Sequence, residues 1–598
     1  MIIIADDCSE DLTMHIQEVV ENVTVIRTDE NSGFLKNCNH AVKEARGEYI
    51  YFLNNDTQVQ AGWLDFQVKL MEERQDAGMT GAKLVYPDGR LQEAGGIIWQ
   101  DASAWNYGNR QNPDQPEYNY VKEADYVSGA AMMIRRQLWQ QIGGFDEQYA
   151  PAYCEDSDLA FEVRKRGYKV LYQPRSVVVH FEGMSNGTDL QEGLKQYQVV
   201  NQKKLYDKWK TELSQHKSEG QDVFCARERS GDKKTLLMID HYVPTYDCDA
   251  GSRTVYEFLQ LFIKKGFQVK FIGDNFHYAE KYTQKLEQMG IEVLYGEYYK
   301  NHIREWLDEN HSYIDYVFLN RPHISIKYID YFCQHTDCKV LYYGHDFHYL
   351  RGKREYELSG EKAKLVEAEE WREKELYLMR RANMSYYPSP VEVEVIRQMD
   401  PALKVKSITA YTFFDELPDR NRDFVSRRGL LFVGGFAHTP NIDAVMWFVK
   451  NIYPLICQKE KIPLYLVGSN PTREIKKLGG IDGVTVKGFV SDEELQGLYQ
   501  TCKLAVVPLR YGAGVKGKVV EAMYHGIPLI TTSIGAEGIP ELQTFACVAD
   551  QEEEFAQAVV QLYRQDERLR EMSEKGQAIV KKYYSSEAVW ETFSSEFK

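Results

Sequence analysis

The chain is written as a rhythm of short apolar runs, most of four to seven residues, each followed by an amphipathic stretch. Nothing else constrains its fold as strongly. Runs of that length predict buried strands, and the amphipathic stretches predict crossover helices, so the fold class is α/β. Residues 1–211 hold "MIII", "VTVIRT", "EYIYFLNND" and "YKVLYQP" and read as one α/β domain. Residues 212–232 lie in a polar tract, "KTELSQHKSEGQDVFCARERSGDKK", and read as a linker. A second series begins at "TLLMIDHYVP" and runs through "GFQVKFIGDN", "DYVFLNRP" and "KVLYYGHD", filling residues 233–426. A third, from "RGLLFVGGF" through "LYLVGSN", "LAVVPL" and "IPLITT", fills residues 427–598. The last two series predict two Rossmann-like, doubly wound parallel sheets in tandem. Ser491 and Glu494 predict a capping box at one helix start.

Composition narrows the function. The net charge of -17 argues against nucleic-acid partners, which need a basic footprint. Ten cysteines without a C-x-x-C pair fit a reducing, cytoplasmic setting. No apolar run reaches the roughly 18 residues of a spanning helix, and no signal peptide opens the chain. Any membrane contact is therefore expected to be peripheral, at the inner face.

The stretch "PLRYGAGVKGKVVEAMYHGIPLITT" carries the most chemistry. Gly512, Gly517 and Lys518 fit a P-loop, but Val519 stands where the magnesium-binding hydroxyl belongs. Gly512, Gly514 and Gly517 fit a dinucleotide fingerprint, but after several βα units rather than in the first turn of the sheet. What survives is an anion site: glycines that let backbone amides approach, a helix N-terminus near Lys518, and the charges of Arg510, Lys516 and Lys518. A tight turn with solvated lysines is the plainer alternative.

The wider stretch "GAGVKGKVVEAMYHGIPLITTSIGAEGI" resembles the nucleotide-sugar site of group 1 glycosyltransferases (family 4), which have the GT-B fold. The resemblance covers about residues 233–595. It implies that Lys518 and Arg510 face the donor diphosphate, helped by Gly514 and Lys516. It implies that Glu521 bonds the ribose, that the turn holding Glu537 closes on the nucleotide, and that Gly434 and Gly435 form the glycine turn of the donor half. Many relatives have a second glutamate where this chain has Ala513. On the acceptor half, Asp249, Gly251, Ser252 and Arg253 form a polar turn, and His345 follows a strand toward the cleft as a candidate catalytic residue. A core histidine is the alternative there.

The first region has four acidic or histidine signals in order: Asp6 and Asp7 at a strand end, "NND" ending at Asp56, "ED" at Glu155 and Asp156, and His180 followed by Ser185. Carboxylates at strand ends can hold a divalent ion, and one more in the same cleft can take a proton from a hydroxyl. Glu155 and Asp158 could equally cap the following helix. The order resembles GT-A glycosyltransferases of family 2. That resemblance implies that Asp7 recognises the nucleotide, that Asp56 and His180 serve a Mg²⁺ or Mn²⁺ ion, and that Asp156, with Glu155, supplies the acceptor base. "GGFDE", Gly144 to Glu147, would line the acceptor side. Family members open with one further strand and helix, about 35 residues on family length. Here the first strand corresponds to their second, so an exposed parallel edge is expected.

Together these features predict two fused transferases that take nucleotide-sugar donors. They would make successive linkages on a glycan or lipid-linked glycan of bacterial type, with a metal in the first module and none in the second. The alternative is one catalytic module and one glycan-binding or scaffolding module.

Overall fold

A computed structural model describes residues 1–181, 196–414, 416–418, 423–512 and 514–597. The chain divides into two compact units, residues 1–237 with 266–315, and residues 238–265 with 316–598. The boundary falls inside the strand Thr235–Asp240.

The first unit is organised by a seven-stranded mixed sheet. Its main path runs Tyr49–Leu53, Ala131–Arg135, Ala77–Val85, Lys169–His180, Thr57–Val59. The long strand Ala77–Val85 is buried at every residue and pairs in parallel with Lys169–His180. The strand Ile2–Asp6 lies outside this sheet. It pairs in parallel with Val23–Arg27 alone, as a separate two-stranded ribbon, and Ile2 is left exposed. The helix Gln196–Leu213 packs on the domain core: Trp209 stacks on Phe161, and its indole donates to Asp158 Oδ1 at 2.6 Å. Asp158 also accepts from Tyr149 and Lys208. It therefore ties the core together and is not free for chemistry.

The polar tract after this domain is built into the unit. It forms the short helix Val223–Ala226 and buries Arg227 and Glu228. Arg227 donates to both carboxylate oxygens of Glu292, at 3.0 and 2.8 Å, and to Glu117 at 2.6 Å. Lys270 lies between Glu228, at 3.1 Å, and Glu292. Breaking such a buried network strands an uncompensated charge, at a cost of about 3–5 kcal/mol. Arg227→Ala is therefore expected to lower the stability of the first unit by that amount, read by chemical denaturation. A double replacement with apolar residues, Arg227→Met with Glu292→Leu, should recover much of the loss.

The second unit contains an all-parallel six-stranded sheet. Its order is Val484–Gly488, Leu464–Val467, Leu430–Val433, Leu504–Val507, Leu529–Thr531, Ala546–Val548. Numbered along the chain this is 3-2-1-4-5-6, the doubly wound arrangement that places a ligand crevice beyond the carboxyl ends of its strands. Four further parallel strands, Tyr316–Asn320, Lys339–Tyr343, Met384–Tyr387 and Val405–Ser407, lie side by side in the same unit. The first three are almost wholly buried, as parallel strands covered on both faces must be, while Val405–Ser407 at the end of the row is half-buried. At the helix Asp492–Thr501, Ser491 accepts from the Glu494 amide as expected. The reciprocal half of the capping box does not form, because the Glu494 carboxylate takes Lys487 Nζ at 2.7 Å instead.

Candidate active sites

In the first unit, the turn between the strands Tyr49–Leu53 and Thr57–Val59 carries Asp56. The strand ending at His180 pairs with Thr57–Val59, and this register sets Asp56 Oδ1 3.3 Å from His180 Nε2. The other ring nitrogen, Nδ1, lies 3.1 Å from Gln92 Oε1, which holds the ring's orientation. Sequence order had paired these two residues, and the fold brings them together. Among the described residues no group of three or more His, Cys, Asp or Glu side chains is arranged to hold a metal. Ser185 lies outside the described residues.

Glu155 and Asp156 open the helix Glu155–Lys165. The two residues before them, Tyr153 and Cys154, have left-handed φ of 78° and 71°, a conformation costly for residues with a Cβ. This bend turns the carboxylates inward. Asp156 accepts from Gly129 N at 3.1 Å, Ser157 N at 2.7 Å and Ser157 Oγ at 3.3 Å. Burial raises both acids above the usual carboxylate range, and their mutual repulsion adds to the rise at Glu155. Asn54 N donates to Ala130 O, so the Asp56 turn is tied to the residue next to the Gly129 amide that holds Asp156. The pair and the metal candidates thus share one junction. Gly144, expected on the acceptor side, has φ 90°, and a Cβ there would fall 2.6 Å from Asn39 Oδ1.

Asp7 accepts from Ser32 N and Oγ, Gly33 N and Thr28 Oγ1, at 2.8 to 3.0 Å. Burial opposes its ionisation, but these four donors prevail and hold its carboxyl below the usual range. In this state its oxygens already have partners, so it organises the Thr28–Gly33 loop. Cys38 senses both Glu155 and Asp7, and burial pushes its thiol up to about 12.

In the second unit, the helix Gly517–Tyr524 starts immediately after Lys516. Lys518 Nζ donates to Asn441 Oδ1 at 2.8 Å, and Asn441 Nδ2 donates to Gly435 O at 2.8 Å. One asparagine thereby joins the lysine to the glycine turn. A Cβ on Gly434 would lie 3.1 Å from Asn441 Nδ2 and 3.2 Å from Lys518 Cε, a tight fit that glycine avoids. Gly514 has φ 73°, again a position suited to glycine. Burial, with repulsion from Lys516, lowers Lys518 to about 8. Lys516 bonds the Gly514 carbonyl and lies 3.9 Å from Glu537, which also accepts from Arg354 at 3.1 Å. Glu521 pairs with Arg253 Nη1 at 2.8 Å; the stretch expected as a polar turn is the start of the helix Ala250–Lys264, with Asp249 as its N-cap and Gly251, Ser252 and Arg253 in its first turn. Arg510 is held by Asp443 through Nε, at 2.9 Å, and through Nη2. It is half-exposed and engaged with a carboxylate, so it differs from Lys518, which is half-buried against Asn441 and the glycine turn. Ala513 lies outside the described residues.

His345 has a left-handed φ of 65°, and Arg321 has one of 62°. Both follow parallel strands. Arg321 Nε donates to Asp240 Oδ1 at 2.9 Å. Three enclosed atoms here have no partner: Asp240 Oδ2, Arg321 Nη2 and His345 Nε2. A Cβ on Gly251 would crowd Arg321 Nη2 at 2.8 Å and His345 Nδ1 at 3.2 Å. Burial, and then Arg321, push His345 down to about 3, so its imidazole is neutral at physiological pH. It can donate or accept a hydrogen bond but carries no charge. Asp240 and Arg321 were not among the residues expected from sequence. Their signal was the one used elsewhere, a polar residue at the end of an apolar run. Glu93, another buried acid of the first unit, was missed as well.

Residues 1–142 match the family model described as Glycosyl transferase family 2, and residues 427–565 match that described as Glycosyl transferases group 1. The chain thus carries two glycosyltransferase domains, one from each family. A protein of Sinorhizobium fredii without an assigned role is 34% identical over 155 residues, 25% of this chain and 17% of that protein. The O-antigen biosynthesis protein RfbC of Myxococcus xanthus is 30% identical over 158 residues, 25% of this chain and 12% of its own length. The N-acetylglucosaminyl-diphospho-decaprenol L-rhamnosyltransferase of Mycobacterium tuberculosis is 27% identical over 217 residues, 31% of this chain and 68% of that enzyme. The chain thus spans less than a fifth of the first two relatives. A sucrose-phosphate synthase from Thermosynechococcus elongatus overlays with a TM-score of 0.47 at 16% identity, covering 61% of this chain and 98% of that one.

Proposed function

We propose that the chain transfers sugars from nucleotide-diphosphate donors to a growing bacterial-type polysaccharide, with its two modules making successive linkages. One observation supports each module. In the first, the buried Glu155 and half-buried Asp156 are joined through Asn54 and Ala130 to the turn of Asp56, whose carboxylate meets His180. In the second, Asn441 joins Lys518 to the glycine turn at Gly435.

In the first module Asp156 takes the proton of the acceptor hydroxyl, whose oxygen then attacks the anomeric carbon as the diphosphate leaves. A single displacement of this kind inverts the anomeric centre. Asp56 and His180 would hold a divalent ion that, when bound, neutralises the departing diphosphate. Two protein ligands suffice for such an ion when phosphate oxygens and water complete its shell. Asp7 lies on the nucleotide side.

In the second module the leaving diphosphate is stabilised without metal by Lys518, Lys516 and the amides at the start of the helix Gly517–Tyr524. Glu521 and Glu537 face the nucleoside, and the anomeric configuration is retained. His345, as a neutral imidazole, and the open atoms of Asp240 and Arg321 bind sugar hydroxyls. No helix among the described residues is long and apolar enough to cross a membrane. A lipid-linked acceptor, of the type named for the mycobacterial relative, would be met peripherally at the inner face. A nucleotide-sugar panel with Mn²⁺ or with EDTA, followed by released nucleotide, tests this reading. Release from one donor with Mn²⁺ and from another in EDTA is expected. Release under one condition alone would leave one catalytic module and one binding module. No release under either would sink the proposal.

A further inference from the structure

Ser128 and Gly129 present consecutive amides to two different acids. Ser128 N donates to Glu93 Oε1 at 3.0 Å, and Gly129 N donates to Asp156 Oδ2 at 3.1 Å. Glu93 ends the strand Leu91–Glu93 and is 1% exposed. Its second oxygen, Oε2, is enclosed without a partner, as is Oε2 of Glu155. The mechanism above makes no use of Glu93.

Buried carboxyls this close do not all ionise, because each charge disfavours the next. The donors decide where the charge rests. Asp156 takes two amides and a hydroxyl, whereas Glu93 takes one amide. Donors favour the ionised form, so the charge belongs on Asp156 and the proton on Glu93. Among the described residues the phenols of Tyr126 and Tyr172 also sense Glu93; both are held neutral by burial and bring no positive charge. Burial, reinforced by Asp156 and only partly offset by the Ser128 amide, raises Glu93 to about 8.

We propose that Glu93 is a positioning residue for Asp156: it keeps its proton, pins the Ser128–Gly129 turn through Oε1, and leaves Asp156 as the one charged base beside the acceptor. This deepens the reading of the first module and rests on it.

The same arrangement has a signature that needs no turnover. At neutral pH the folded chain holds a proton on Glu93 that the unfolded chain has released. Folding therefore takes up a proton, and stability falls as pH rises from the ordinary glutamate range to about 8. Glu93→Gln keeps an oxygen for the Ser128 amide, mimics the neutral acid and removes this dependence.

The test compares the full chain with Glu93→Gln by thermal melting between about pH 5 and pH 8.5. It also compares the pH profiles of Mn²⁺-dependent nucleotide release. The variant should melt increasingly above the wild type as pH rises. It should keep turnover within about twofold at neutral pH and lose the wild-type decline above about pH 8. Glu93→Ala, which cannot hold the turn, should lower kcat at least about tenfold with a smaller change in donor KM. Parallel melting curves or superimposed pH profiles would overturn the proposal. Absence of metal-dependent release from the wild type would instead sink the transferase reading of the first module, whatever the melting curves show of the proton on Glu93.

Discussion

Asp156→Asn should lower metal-dependent donor turnover by about 10²–10⁴-fold, the range that a positioned general base contributes. The substitution is nearly isosteric. Its amide oxygen can still accept from Gly129 N, which lies 3.1 Å from Oδ2 in the native chain, but its Nδ2 then faces Ser157 N, 2.7 Å from Oδ1, and that donor loses its acceptor. What disappears is the basic lone pair. Losing the acceptor of Ser157 N costs about 1–3 kcal/mol, and removing the desolvation cost of a raised-pKa carboxylate offsets part of it, so the variant should stay folded with a modest drop in melting temperature. Loss of turnover with the fold intact would assign the base. Turnover surviving within about tenfold would remove Asp156 from that role. In the native chain the rate should rise with pH as Asp156 loses its proton, and Asp156→Asn should abolish that limb. Nucleotide release in EDTA should be unaffected, since the second module does not use this residue.

Lys518→Ala should do the converse. Removing one preorganised donor aimed at developing charge lowers kcat by about 10²–10³-fold. The release that persists in EDTA should fall by that factor, while the Mn²⁺-dependent release stays. Burial lowers Lys518 to about 8, so the free enzyme loses this charge as pH rises past that value. Activity of the second module should decline over the same range. Bound diphosphate favours the charged form and should shift the decline to higher pH at saturating donor. Arg510→Ala is the contrasting control. Arg510 is half-exposed and already held by Asp443, so its removal should cost less than the loss of Lys518. Equal effects would show that Arg510 leaves Asp443 to reach the donor.

Many residues of both candidate sites are marked in local sequence. The glycine loop before Lys518, the strand ends at Asp7 and Asp56, and the Glu155–Asp156 step carry their chemistry within a few residues. Asp158 shows the limit of such reading. It lies in the same acidic run as Asp156, yet Trp209 and Lys208 claim its oxygens, and those partners come from a helix some fifty residues on. Arg510 is a second case, since Asp443 faces it from another element of the fold.

Sequence alone determined the alternation of strand and helix, because an apolar run of strand length buries itself whatever its distant partners are. It also determined the two families of phosphate and acid motifs, because backbone approach and helix termini are local geometry. Tertiary structure decided which charged groups are buried and what they hold. Arg227 and Glu228 lie in a tract that composition assigns to solvent, yet Glu292, Lys270 and Tyr120 enclose them. Arg253 meets Glu521 across 268 residues. Glu93 gains its role only when the turn at Ser128 and Gly129 brings it alongside Asp156. A side chain's own polarity predicts exposure. Only partners of matching charge or hydrogen-bonding capacity, delivered by the fold, reverse that preference, and their positions are not written in the neighbouring residues.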